Sequence, residues 1–117
     1  MIRIAIVEDD DAYRRQLVDF LKRYESESGE SFRLSLFSDG MEIVQDYRSE
    51  YDIILMDIEM RYMDGMTAAE RIRKLDMEVV IIFITNMSQY VMKGYTVDAM
   101  DFVLKPITYY AFSQRID

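Results

Sequence analysis

The chain has 117 residues, enough for about one domain and one core. Half of the residues are hydrophobic, which excludes a disordered chain, and 14 basic against 22 acidic residues give a net charge of −8, which argues against direct binding of nucleic acid. Cysteine and histidine are both missing, so a disulfide framework, a thiolate zinc site, a Ser-His-Asp triad and a His-rich metal centre are ruled out.

The chemistry left is that of carboxylates, hydroxyls and lysines. The longest apolar run, residues 79–84, is far short of the ~20 residues that a membrane helix needs. Glu8-Asp9-Asp10-Asp11 cuts the apolar start of the chain short, which is unlike a signal segment. The expectation is a soluble cytoplasmic protein with no membrane contact.

In chain order, Ile2–Val7 is a near-continuous β-branched run, as in a strand buried on both faces of a parallel sheet. Tyr13, Leu17, Phe20, Leu21 and Tyr24 then share one helical face, with Asp10 or Asp11 as cap. Residues 25–31 are polar with Gly29 and are expected to form a loop. Phe32–Phe37 alternates as a second strand, and Ser38-Asp39-Gly40 punctuates before a short helix carrying Ile43, Val44 and Tyr47. Residues 51–56 form the third strand, followed by a loop through Met63-Asp64-Gly65 and a helix with Met66, Ala69, Ile72 and Leu75 facing inward.

Residues 79–84 are the fourth strand, 87–95 a weaker helix ending near Gly94, and 100–104 the fifth strand. Tyr109, Phe112 and Ile116 mark a last helix that the chain end is expected to truncate. The alternation predicts an α/β fold of the flavodoxin-like kind: a doubly wound, five-stranded parallel sheet of order 2-1-3-4-5 with helices on both faces.

Three strands end in residues suited to cation-assisted phosphoryl transfer. Ile2–Val7 runs into Glu8 and Asp9, Ile53–Met56 into Asp57, and residues 102–104 into Lys105. In an open parallel sheet these carboxyl ends share the ligand-binding edge. Carboxylates so close need protonation or a cation, and magnesium suits them: a hard ion taking a few carboxylate or carbonyl oxygens and keeping sites for phosphate. The plainer alternative for residues 8–11 is a set of helix caps and solvated loop.

Asp57 leaves a buried strand directly, a costly position for an ionised group unless it is compensated, and such a group is a fit nucleophile toward phosphorus. A bland strand-end aspartate is the alternative. Lys105, made extended by the following Pro106, would balance the carboxylates, or else merely snorkel at a helix entrance. Most Lys-Pro bonds are trans. Thr85 would add a hydroxyl at the same edge, although threonine is an ordinary strand residue. Phe102, Tyr109, Tyr110 and Phe112 fit core or helix face.

The ordered set resembles the receiver domain of two-component response regulators. The matching residues are Val7-Glu8-Asp9-Asp10, Met56-Asp57-Ile58-Glu59-Met60, Met63-Asp64-Gly65, Ile84-Thr85 and Asp101-Phe102-Val103-Leu104-Lys105-Pro106, and they span essentially the full chain. The resemblance implies that Asp57 accepts a phosphoryl group from a sensor histidine kinase. Asp9 would bind Mg2+ with Asp57 and the backbone carbonyl of Glu59, and Glu8 would act mainly through water. Lys105 would neutralise one phosphoryl oxygen, Thr85 would bind another after transfer, and Phe102 would report the shift.

The stretch from Val97 to Ile107 and Ile84-Thr85-Asn86-Met87 resemble receivers of the LytTR class. That implies a C-terminal DNA-binding output domain, transcription regulation and a homodimer on phosphorylation. Two positions depart from the family pattern. Arg61 replaces a usual proline and is expected to loosen the loop beside Asp57, and Asn86 stands where smaller residues are commoner. The alternatives are a degenerate receiver that serves only as a dimerisation module, and a magnesium-dependent phosphohydrolase using Glu8, Asp57 and Glu59, which resembles the acids of Toprim-type folds.

Overall fold

A computed structural model describes residues 1–85 and 101–116 of the chain, with the backbone alone at 101 and 102. The elements are β1 (Ile2–Val7), α1 (Asp11–Ser28), β2 (Phe32–Phe37), α2 (Gly40–Val44), β3 (Ile53–Met56), α3 (Gly65–Leu75), β4 (Val80–Thr85), β5 (Asp101–Leu104) and α4 (Tyr109–Ile116). The helix expected over 87–95 lies outside the described residues, as does Asn86. The five strands form one parallel sheet of order β2-β1-β3-β4-β5, as the alternation predicts.

Because strand side chains alternate between faces, the sheet builds two cores. Ala5, Val7, Ile54, Met56, Ile81 and Phe83 pack against α2 and α3 through Ile43, Met66, Ala69 and Ile72. Ile4, Ile6, Leu55, Ile82, Ile84 and Val103 pack against α1 and α4 through Leu17, Leu21 and Phe112. Both faces of β1, β3 and β4 are therefore covered, which is why those runs carry so few polar residues.

The structure corrects three expectations. Residues 25–28 belong to α1 rather than to a loop: their polarity marks exposure, and the helix continues until Gly29, at φ 80, supplies the left-handed cap. The short helix stops at Val44, and Tyr47 lies beyond it, its hydroxyl donating to Asp76 at 2.8 Å.

Leu75 is 65% exposed instead of facing inward with Met66, Ala69 and Ile72. Each step of three residues falls short of a 3.6-residue turn, and three steps rotate Leu75 by about 180° from Met66. The Lys105–Pro106 bond is cis.

Candidate functional site

The three strand-end residues meet because the ladder continues one residue beyond each strand. The backbone N–H groups of Glu8, Asp57 and Lys105 donate to the carbonyls of Phe37, Val7 and Thr85 at 3.0, 3.0 and 2.9 Å. Alternation then matters. Glu8 follows Ile4 and Ile6, Asp57 follows Leu55, and Lys105 follows Val103, so all three share the parity of the core under α1 and α4.

Lys105 Nζ donates to Glu8 Oε1 at 2.7 Å and to Asp57 Oδ2 at 3.2 Å. The three side chains are 10%, 1% and 8% exposed, so the bridge is largely shielded from water. Burial alone would lower the Lys105 pKa, but the ion pairs with Glu8 and Asp57 outweigh it and the ammonium is held charged. Burial raises Glu8 to about 7, helped by the charge on Asp57 and opposed by Lys105.

Asp9 lies on the opposite parity and is exposed. One oxygen each from Glu8, Asp9 and Asp57 lie within 4.8 Å of one another. Three carboxylates against one ammonium leave excess negative charge, and an all-oxygen donor set with one solvent-facing member fits a small hard divalent ion. Asp57 Oδ1 accepts from the Ile58 N–H at 2.8 Å. Asp10 caps α1, taking the Ala12 and Tyr13 N–H groups at 2.9 and 3.2 Å, so the positive end of that helix points toward the acidic edge.

Thr85 ends β4 fully buried, on the parity of Ile81 and Phe83. In the ladder Phe102 pairs with Phe83 and Leu104 with Thr85, and the side chain of Phe102 lies outside the described residues. Glu59 is exposed two residues after Asp57. Arg61 sits with its guanidinium 5.2 Å from the Tyr62 ring.

The loop that Arg61 was expected to loosen is tied down by Asp39, a residue sequence reasoning treated only as punctuation. Asp39 is 5% exposed, and its Oδ1 accepts from Met41 N–H at 2.9 Å and Met63 N–H at 3.0 Å, while Oδ2 accepts from Tyr62 N–H at 2.9 Å. It thus caps α2 and anchors the segment after Asp57 together. The Ser38-Asp39-Gly40 cap pattern was visible, but nothing in it pointed to residues 62 and 63.

Two glycines permit the same close packing. A Cβ on Gly65 would penetrate the carbonyl of Asp57, and one on Gly40 would come within 2.6 Å of the Met63 carbonyl oxygen. Gly65 N–H also donates to the Ile58 carbonyl at 2.7 Å, which presses the start of α3 against the backbone of Asp57. Tyr13, expected only as part of a core-facing stripe, lies with its ring centroid 4.0 Å from Lys105 Nζ.

An acidic cluster and a buried lysine at the carboxyl edge of a flavodoxin-like sheet define a class, and comparison gives it a family. The chain belongs to the response regulator receiver domain family, whose model matches residues 4–117. It is 32% identical over 108 residues to the sensory transduction protein LytT of Bacillus subtilis, covering 91% of this chain and 43% of that protein. It is 27% identical to the sensory transduction protein LytR of Streptococcus agalactiae, covering 96% of this chain and 44% of that protein.

The crystal structure of the response regulator TrrA of Thermotoga maritima, in complex with Mg2+-BeF, superposes with a TM-score of 0.84 at 26% identity, covering 99% of this chain and 96% of that one. The chain therefore spans less than half the length of LytT and LytR. No helix among the described residues is long and apolar enough to cross a membrane.

Proposed function

We propose that this receiver domain accepts a phosphoryl group on Asp57 from the phosphohistidine of a sensor histidine kinase and thereby switches an output domain elsewhere in the protein. The observation that carries the reading is the Asp57 carboxylate, at the ligand edge of the sheet, clustered with the carboxylates of Glu8 and Asp9 and bound by the Lys105 ammonium that it shares with Glu8. In the transfer, the phosphorus–nitrogen bond of the donor breaks as an Asp57 oxygen bonds phosphorus, and the imidazole leaves.

Glu8, Asp9, Asp57 and the Glu59 carbonyl would hold Mg2+, which supplies positive charge for the carboxylates and for a phosphoryl oxygen. Support comes from the hard oxygen donor set and from TrrA, whose structure contains Mg2+-BeF. Lys105 meets the developing charge on another oxygen. Because it already bridges Glu8 and Asp57, it would exchange one short contact for another rather than travel. Thr85, buried at the end of β4, would take a phosphoryl oxygen after transfer, and Phe102, on the neighbouring strand β5, would follow.

Similarity to LytT and LytR supports an output of the LytTR kind acting on transcription, and membership of the receiver family supports a cytoplasmic site of action. The phosphohydrolase alternative is disfavoured by Glu8 itself, which is 1% exposed and engaged by Lys105, so it is poorly placed to activate water. Intact mass after incubation with Mg2+ and acetyl phosphate or phosphoramidate tests the proposal. One phosphoryl adduct is expected on the wild type, lost with chelator and in Asp57→Asn; an adduct surviving in Asp57→Asn would move the acceptor elsewhere.

A further inference from the structure

Lysine carries its charge on a flexible stem of four carbons with three rotatable donors, so a lysine that must meet one oxygen needs more than a charge partner to fix it. In this chain Glu8 and Asp57 occupy two directions around Lys105 Nζ, at 2.7 and 3.2 Å. The Tyr13 ring occupies a third, its centroid 4.0 Å away. Tyr13 stands in the first turn of α1, where its own N–H is bound by the Asp10 cap, so the ring is carried by the backbone that sets the acidic edge.

We infer that Tyr13 is a positioning residue for phosphoryl transfer: its ring face holds the Lys105 ammonium in line with Asp57. The inference rests on the function proposed above. The ring quadrupole attracts the cation and excludes water from one side, while the carboxylates restrain it from the other. A side chain so restrained needs little further ordering when the phosphoryl oxygen arrives. The Tyr13 hydroxyl has no hydrogen bond among the described residues, so the ring and not the hydroxyl carries the effect.

The test compares wild type with Tyr13→Phe and Tyr13→Leu, using the rate of phosphoryl uptake from acetyl phosphate with saturating Mg2+. In that step an Asp57 oxygen bonds phosphorus, the bond from phosphorus to the acetate oxygen breaks, and acetate leaves. The side-chain methylene signals of Lys105 in labelled protein, assigned through Lys105→Met, give a second readout. A ring face so close should displace them upfield, whether or not any phosphoryl is present.

Tyr13→Phe should keep the displaced signals and a rate within about twofold, and Tyr13→Leu should lose the displacement and slow uptake by about three- to tenfold. Signals that are undisplaced in the wild type, or equal rates in wild type and Tyr13→Leu, would overturn the inference while leaving Asp57 as the acceptor. A Tyr13→Phe variant as slow as Tyr13→Leu would overturn it by pointing to the hydroxyl. A wild type that takes up no phosphoryl while showing the displaced signals would instead remove the function on which it rests, and with it the positioning role.

Discussion

Asp39 and Asp57 are both buried aspartates in loops that follow strands, 5% and 7% exposed, yet their surroundings assign them opposite work. Asp39 has its oxygens committed to three backbone N–H groups, one in α2 and two in the loop after Asp57. Asp57 has one N–H, from Ile58, and shares one ammonium with Glu8. A fixed carboxylate whose partners are all backbone is a structural tie. One with excess negative charge beside it and a lysine in common with a neighbour suits the cation and the electrophile of the proposed transfer.

The contrast breaks if the two residues can be exchanged in effect. The largest difference is expected for Asp57→Asn: phosphoryl uptake falls to zero while far-UV circular dichroism and the denaturant midpoint stay near wild type. Uptake in that variant would end the distinction. Asp39→Ala should do the reverse, destabilising the domain by ~2–4 kcal/mol in urea, because three buried N–H groups lose a charged acceptor. Its Asp57 should still be labelled wherever the variant is folded. A loss under about 0.5 kcal/mol would show that water replaces the carboxylate at no cost, and the tie would be dispensable.

The exposed member of the acidic set sharpens the picture. Asp9→Asn should weaken Mg2+ binding by ~1–3 kcal/mol, measured by titration, and leave the unfolding midpoint of the metal-free protein unchanged. Identical titration curves would remove Asp9 from the metal site.

The last effect is a pH dependence that belongs to Glu8. Its folded pKa, raised by burial to about 7, exceeds the ordinary value of 4.5, so the unfolded chain loses this proton more readily. The associated stability is complete below the unfolded value and is lost as pH rises through about 7. Without divalent cation, the protein should therefore become more stable between pH 8 and 5, and Glu8→Gln should flatten the slope. A wild-type slope of the opposite sign would show that the Lys105 ion pair, not burial, governs Glu8. Asp52 and Asp76 are shifted down, so their contribution falls away only at more acid pH.

The legibility of this chain follows the range of the interactions. Strands and sheet order were readable because each apolar run is local, and a doubly wound arrangement leaves few ways to connect such runs. Glu8, Asp57 and Lys105 were readable as a set because strand ends in a parallel sheet necessarily share an edge, even though Lys105 pairs with a residue 97 positions away. Leu75 was misread because apolar residues at strict three-residue spacing drift around a helix.

Residues 25–28 are polar because they are exposed, and polarity alone does not end a helix; the stop is Gly29. Asp39 and Tyr13 belong to a different kind of miss. Each carries an ordinary local signal, a cap and a core stripe, that is true and incomplete.

By itself the sequence determined the alternation of strands and helices, the two-faced core, the absence of histidine and thiol chemistry, and the residues that reach the ligand edge. These follow from side-chain periodicity and composition, which are properties of short stretches of chain. Only the tertiary structure decided that Lys105 bridges Glu8 and Asp57 beneath the Tyr13 ring, and that Asp39 secures the loop after Asp57. Those contacts join different elements. Their distances depend on how α1, α2 and the loop after β3 pack on the sheet, and no local pattern encodes that.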